Sequence, residues 1–161
     1  MDRIIIKMEK SQIRALSLFS GCGGDTVGMT NAGINVTHYS ELKPTFQKTH
    51  ELNFPKSELI GGDINKITDG EFEKLKGKID IIFGGFPCQS FSNAGKKNPN
   101  DARGQLYLQF VRAARIIQPK YIIGENVKGL LTRTTNEGEK FIDIIIKSFN
   151  DIGYTCHYKV L

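Results

Sequence analysis

The sequence predicts an α/β fold with a doubly wound, mostly parallel sheet. Two observations carry that prediction. Short apolar, strand-like runs alternate with helix-like stretches along the chain, and repeated β-α units bury both faces of a parallel sheet. Residues suited to chemistry also cluster just after the apolar runs, at the carboxyl ends of strands, where open α/β sheets hold their ligands. Residues 13–19 form the first expected strand, 20–25 a glycine loop and 26–32 a short helix. A second strand is expected over 34–40, where β-favouring residues concentrate. Pro44 suits the first turn of a helix and places one over 45–53. A short third strand at 58–60, a helical stretch at 72–76 and a fourth strand at 79–83 follow. After a polar loop at 92–103, Leu106, Phe110, Ala113, Ala114 and Ile117 recur at helical spacing and predict a helix over 105–117. Pro119 stops it; a fifth strand over 121–124, a helix over 139–149 and a sixth strand over 154–161 complete the reading. No repeat, low-complexity tract or linker divides the chain, so residues 1–161 are expected to be one domain.

Composition narrows the function classes. The net charge of +5 and the sequence pI near 9.1 favour an anionic partner without identifying one. Cys22, Cys88 and Cys156 are widely spaced, with no Cys-x-x-Cys pair and no His/Cys cluster at ligand spacing, which argues against a zinc site; the expectation is no metal. The odd count and the lack of a signal peptide point to the reducing cytoplasm, and no apolar run approaches the roughly 20 residues of a membrane span.

The most informative stretch is Gly84-Gly85-Phe86-Pro87-Cys88-Gln89-Ser90-Phe91-Ser92. It follows the apolar run 79–83 and so sets a cysteine at a strand end, in a turn shaped by glycine and proline. A buried core cysteine is the commoner fate of that residue, but the polar setting of Cys88 is not an apolar face. A second constellation begins with Phe19-Ser20-Gly21-Cys22-Gly23-Gly24, a glycine loop between strand and helix. Alone, Gly-x-Gly-Gly fits a tight turn as well as a ligand loop. Glu41 follows roughly 20 residues on at the second strand end, where an acid can bind two ribose hydroxyls. Asp63, after the third strand, can accept a hydrogen bond from an adenine amino group. Together these suit an adenosine ligand. Glu125 and Asn126 lie after the fifth strand, where a glutamate by itself is as readily a solvated residue or a cap.

These segments resemble the DNA (cytosine-5) methyltransferases. The resemblance implies a Rossmann-like fold that uses S-adenosylmethionine. It implies cofactor contacts from Phe19, Ser20, Gly21, Gly23, Gly24, Glu41, Leu42, Asp63, Ile64, Pro87 and Leu106. Cys88 is the implied nucleophile toward carbon 6 of cytosine, which makes carbon 5 able to accept a methyl group. Glu125 would assist at ring nitrogen 3, and Gln89, Ser90, Arg103 and Asn126 would face the substrate or DNA. Lys96, Lys97 and Arg103 read equally as phosphate contacts or as a solvated basic loop. Ser17 and Lys43 depart from the family, which often has an acid at the first position and Asp or Asn at the second.

The resemblance runs from about Arg14 to Leu161 and covers the first part of the family's catalytic domain. No Gln-x-Arg-x-Arg segment, target-recognition region or late cofactor-pocket helix is found. Three readings follow: one chain of a two-chain methyltransferase acting on double-stranded DNA in a restriction-modification system, with a second polypeptide supplying those parts; a fragment that retains the sites; or a non-catalytic cofactor-binding module. A tRNA-methylating relative is the alternative within the fold.

Overall fold

Five short runs become β1 (Arg14–Leu18), β2 (Asn35–Ser40), β3 (Glu58–Gly61), β4 (Ile81–Gly84) and β5 (Tyr121–Gly124). A computed structural model describes residues 12–87, 106–135 and 138–161. All strand pairs are parallel, in the order β3-β2-β1-β4-β5. The chain steps outward from β1 to β3, then returns to the other side of β1 for β4 and β5. The reversal between β1 and β4 is the switch point at which such sheets open a crevice.

Strand alternation explains why both faces are covered. Ala15, Val36 and Ile81 pack with Met29 of α1 (Gly24–Asn31) on one face. Tyr39 stacks on His50 of α2 (Pro44–Asn53), which closes the same side. Leu16, Leu18 and Ile82 point the other way into the larger core. That core is covered by α3 (Asp69–Glu73), α4 (Leu106–Ile117) and α5 (Phe141–Asn150). Phe110, Ala113, Ala114 and Ile117 form one buried stripe on α4, and Phe141, Ile145 and Phe149 one on α5. At the opposite end of the sheet, Asp80 accepts a hydrogen bond from the Arg14 amide and pairs with Lys120, so the starts of β1, β4 and β5 share one anchor. Those two partners hold the Asp80 carboxyl below the usual carboxylate range.

The structure refines several expected bounds. β1 ends at Leu18 because Phe19 turns into the left-handed region at φ 59°. The third helix starts earlier than the expected 72–76, because Thr68 and Glu71 form a reciprocal capping box. The expected sixth strand over 154–161 does not form. The Tyr154 hydroxyl donates to the Pro119 carbonyl at 2.8 Å, Cys156 packs against the core, and 157–161 are exposed. Among the described residues nothing pairs with the outer edge of β5. A groove of about 250 Å³ separates that edge from the chain after α5, lined among others by Tyr121, Ile122, Ile146, Tyr154, Cys156 and Tyr158.

Glycine is required where β4 and β5 end. Gly84 pairs in register with Gly124, and a Cβ on Gly84 would lie 3.1 Å from the Phe110 ring. Phe110 is fully buried and meets Phe149 edge-on, so it has little room to move. Gly84→Ala is expected to lower stability by about 1–3 kcal/mol in urea denaturation. Gly28→Ala, with open space around its Cβ in α1, should be neutral or stabilising by up to about 1 kcal/mol. Equal stabilities for the two variants would contradict this packing.

Candidate functional site

The loop after β1 is held against the end of β2 by paired main-chain and side-chain bonds. The Ser20 amide donates to the Ser40 carbonyl at 3.1 Å. The Gly21 amide donates to Glu41 Oε2 at 2.9 Å, and the Lys43 amide to Glu41 Oε1 at 2.8 Å. Gln47 Nε2 donates to the Glu41 carbonyl at 2.6 Å. Glu41 is thus buried and satisfied by the protein before any ligand arrives, while each carboxylate oxygen keeps a further lone pair. Gly21 and Gly23 both take positive φ, at 55° and 95°. A Cβ on Gly23 would strike the Phe54 ring at 2.5 Å, so only glycine fits there.

This loop opens onto α1, whose N-cap residue, Gly23, has no side chain to cap it. The Ser20 hydroxyl is buried with no hydrogen-bond partner among the described residues. An orphaned hydroxyl beside an uncapped helix start suits the polar end of an amino-acid-bearing cofactor. At the end of β3, Asp63 Oδ1 accepts from the backbone and side-chain nitrogens of Asn65, both at 3.0 Å. Asp63 Oδ2 accepts no bond among the described residues. Leu42 is 65% exposed and free to line a ligand, whereas Ile64 sits in the core at 4% exposure. Phe19 and Leu106 are half-buried and pack against that core.

Ser17 gains a carboxylate from elsewhere. Its hydroxyl donates to Asp25 Oδ2, so the first turn of α1 brings an acid to β1 where the strand itself carries none. Sequence reasoning missed Asp25, since nothing in its spacing shows that it folds back onto Ser17. His50 packs beneath the same glycine loop. It is fully buried, stacks on Tyr39 at 3.8 Å, and shares a 3.1 Å hydrogen bond between Nε2 and Thr26 Oγ1. It therefore braces the start of α1 and, with Phe54, the underside of Gly23.

A second cluster lies across the switch point, at the ends of β4 and β5. The Glu125 amide donates to the Gly84 carbonyl at 3.0 Å, and Asn126 Nδ2 donates to the Phe86 carbonyl at 2.8 Å. The Glu125 carboxylate comes within 3.3 Å of the position a Gly85 Cβ would take. Glu125 and Asn126 thus flank Gly85, Phe86 and the half-buried Pro87, with the Glu125 side chain exposed. Cys88, Gln89, Ser90, Lys96, Lys97 and Arg103 lie outside the described residues. Neighbouring strands are about 4.8 Å apart. The β1 loop and the β4 turn are therefore one strand spacing apart, and Glu41 lies about 10 Å from the β4 end, a distance a nucleoside-sized cofactor can bridge. Among the described residues no group of His, Cys, Asp and Glu could hold a metal ion, and no helix is long and apolar enough to cross a membrane.

A glycine loop, an acid after β2 and an acid after β3 on one rim, with a Glu-Asn pair beside them, define an α/β domain of the nucleoside-cofactor-binding class. The sequence profile described as C-5 cytosine-specific DNA methylase matches residues 13–161, and the chain belongs to that family. It is 40% identical over 143 residues to Type II methyltransferase M.NgoPII of Neisseria gonorrhoeae, covering 88% of this chain and 40% of that protein. It is 41% identical over 150 residues to Type II methyltransferase M.FnuDI of Fusobacterium nucleatum, covering 92% and 41%. A crystal structure of a protein assigned as a DNA modification methyltransferase, encoded within an Escherichia coli prophage, superposes with a TM-score of 0.70 at 29% identity, covering 87% of this chain and 38% of that one. The chain spans about two-fifths of the length of the curated relatives it matches.

Burial lowers the pKa of His50, against smaller opposing effects of Asp25 and Glu51; burial likewise lowers that of His38. A base whose folded pKa lies below its unfolded value of about 6.5 contributes fully above that pH, and its contribution is lost as pH falls through the folded value. His50→Phe keeps a ring against Tyr39 but cannot titrate. Urea midpoints between about pH 7.5 and about pH 5.5 should fall less steeply for His50→Phe than for the parent. Equal slopes would contradict a neutral, buried imidazole.

Proposed function

We propose that this chain carries the cofactor-binding and nucleophile part of a DNA (cytosine-5-)-methyltransferase, which transfers a methyl group from S-adenosylmethionine to carbon 5 of cytosine in DNA. The observation that carries this reading is the order of groups along one sheet rim. The Gly21–Glu41 linkage and Asp63 stand on one side of the switch point, and Glu125 with Asn126 beside Gly85–Pro87 on the other. Glu41 takes the ribose hydroxyls, Asp63 the adenine amino group, Leu42 one side of the base, and Ser20 with the α1 amides the methionine end. S-adenosylmethionine supplies an electrophilic methyl group on its sulfonium.

Cys88 follows Pro87 directly and attacks carbon 6 as a thiolate, forming a carbon–sulfur bond and making carbon 5 enamine-like. Glu125 donates a hydrogen bond at ring nitrogen 3, in a site that the arriving base desolvates. Carbon 5 takes the methyl group as its bond to the sulfonium breaks, leaving the thioether S-adenosylhomocysteine; carbon 5 then gives its proton to water as the carbon–sulfur bond breaks and the Cys88 thiolate is restored. Asn126 holds the turn through the Phe86 carbonyl. Gln89, Ser90 and Arg103 face the DNA. The target cytosine leaves the duplex to reach the site.

The enzyme works on double-stranded DNA in a bacterial cytoplasm, within a restriction-modification system, and turnover requires a second polypeptide. One feature supports that partner. The outer edge of β5 carries exposed Tyr121 and Ile123 beside an apolar groove, a surface suited to an added strand.

Methyl transfer from labelled cofactor to unmethylated DNA, with matched tRNA as control and with and without a polypeptide equivalent to the remaining part of the relatives, tests this reading. Transfer to DNA in the paired reaction is expected. Cys88→Ser should lower turnover by at least about 10³-fold while leaving cofactor affinity unchanged. Unchanged turnover in that variant, or transfer to tRNA alone, would overturn the assignment.

A further inference from the structure

The loop that presents Asp63 is gripped from below by one arginine. Arg112 of α4 donates from Nη2 to the Ile64 carbonyl at 3.1 Å and to the Ile67 carbonyl at 2.6 Å. Its Nη1 pairs with Asp69 at 3.3 Å, and its guanidinium lies 5.1 Å from the Phe72 ring centre. Arg112 is mostly buried; Asp69 is more than half exposed. The exposed acid contributes little, and the two carbonyl bonds are the specific contacts. They fall on the residue after Asp63 and three residues beyond it.

The same loop is anchored by its side chains. Ile64 and Ile67 are buried in the core, and Ile67 lies over Gly61 at the end of β3. The Lys66 amide closes a turn onto the Asp63 carbonyl at 2.8 Å. Asp63 is thus the outward point of a turn whose two inner carbonyls are fixed by Arg112. A planar guanidinium presents its donors in a fixed fork, so it sets the orientation of the turn as well as its distance from α4.

We propose that Arg112 is a positioning residue for cofactor recognition: by clamping the carbonyls of Ile64 and Ile67, it aims the Asp63 carboxylate at the 6-amino group of the adenine. The proposal rests on the reading of Asp63 as the adenine contact. Arg112 touches no ligand itself. Its loss leaves the loop tethered by Ile64 and Ile67 but free to turn, so discrimination at position 6 of the purine falls while contacts to the ribose and the amino-acid end persist.

The test is calorimetric binding of S-adenosylhomocysteine and of its 6-oxo analogue, S-inosylhomocysteine, to the parent chain, Arg112→Met and Arg112→Lys. The parent should bind the adenine compound more tightly by about tenfold or more, the scale of one hydrogen bond to a charged group. Arg112→Met keeps an apolar stem over Phe72, and should lose about tenfold for the adenine compound and nothing for the 6-oxo compound. A merely structural role would weaken both ligands together. Equal loss on both, or no loss on either, overturns the proposal. If Arg112→Met fails to fold, Arg112→Lys decides: a selective but smaller loss is expected, and parent-like discrimination refutes it. A parent that binds neither ligand, or does not distinguish them, removes the Asp63 reading and this proposal with it. A discriminating parent with an unselective Arg112→Met removes this proposal alone.

Discussion

The rim of the sheet depends on one buried carboxylate. Glu41 accepts the amide of Gly21 on one oxygen and of Lys43 on the other, so it joins the loop after β1 to the turn after β2. Hydrogen bonds to a charged acceptor are worth about 1.5–3 kcal/mol each, enough to fix a glycine loop that would otherwise sample many conformations. The Ser20–Ser40 main-chain bond beside it and the Phe54 ring under Gly23 complete the restraint. A loop fixed in this way holds the start of α1 and, among the described residues, leaves the buried Ser20 hydroxyl without a hydrogen-bond partner. The same residue thus organises the rim and has lone pairs left to offer a ligand.

The sheet order then determines what stands next to what. Because β4 returns beside β1, the glycine loop and the turn through Gly85 and Pro87 become neighbours although more than sixty residues separate them in sequence. The glycines closing β4 and β5 let Phe110 rise under both strand ends, and Phe86 packs against it. Glu125 and Asn126 are placed by that closure through the carbonyls of Gly84 and Phe86. Helix α4 serves both halves: its Phe110 supports the β4–β5 rim, and its Arg112 grips the loop after β3.

Much of this was legible in the sequence, for physical reasons. Strands buried on both faces leave apolar runs, and β-α alternation leaves few topologies, so these five strands and a doubly wound, mostly parallel sheet could be read, while the strand order could not. Glu41 was visible from its offset to the glycine loop, because a residue at the end of the next strand must fall near that distance. Other features depend on contacts that spacing does not encode. Phe19 leaves β1 early through a positive φ that its residue type does not signal. Asp25 reaches Ser17 only because α1 starts two residues before the expected position. His50 and Arg112 act on loops far away in sequence, and no motif marks either. The segment 154–161 has strand-forming composition, but a strand needs a neighbour, and a groove separates it from β5.

The central claim is that a nucleoside cofactor binds along the ends of β1, β2 and β3, braced by Glu41. Backbone amide NMR during titration of the 161-residue chain with S-adenosylmethionine addresses it most directly. The account predicts saturable shifts at the amides of Gly21, Gly23, Leu42, Lys43 and Asp63. Saturable shifts confined to the groove beside β5, or none at the rim, would contradict it.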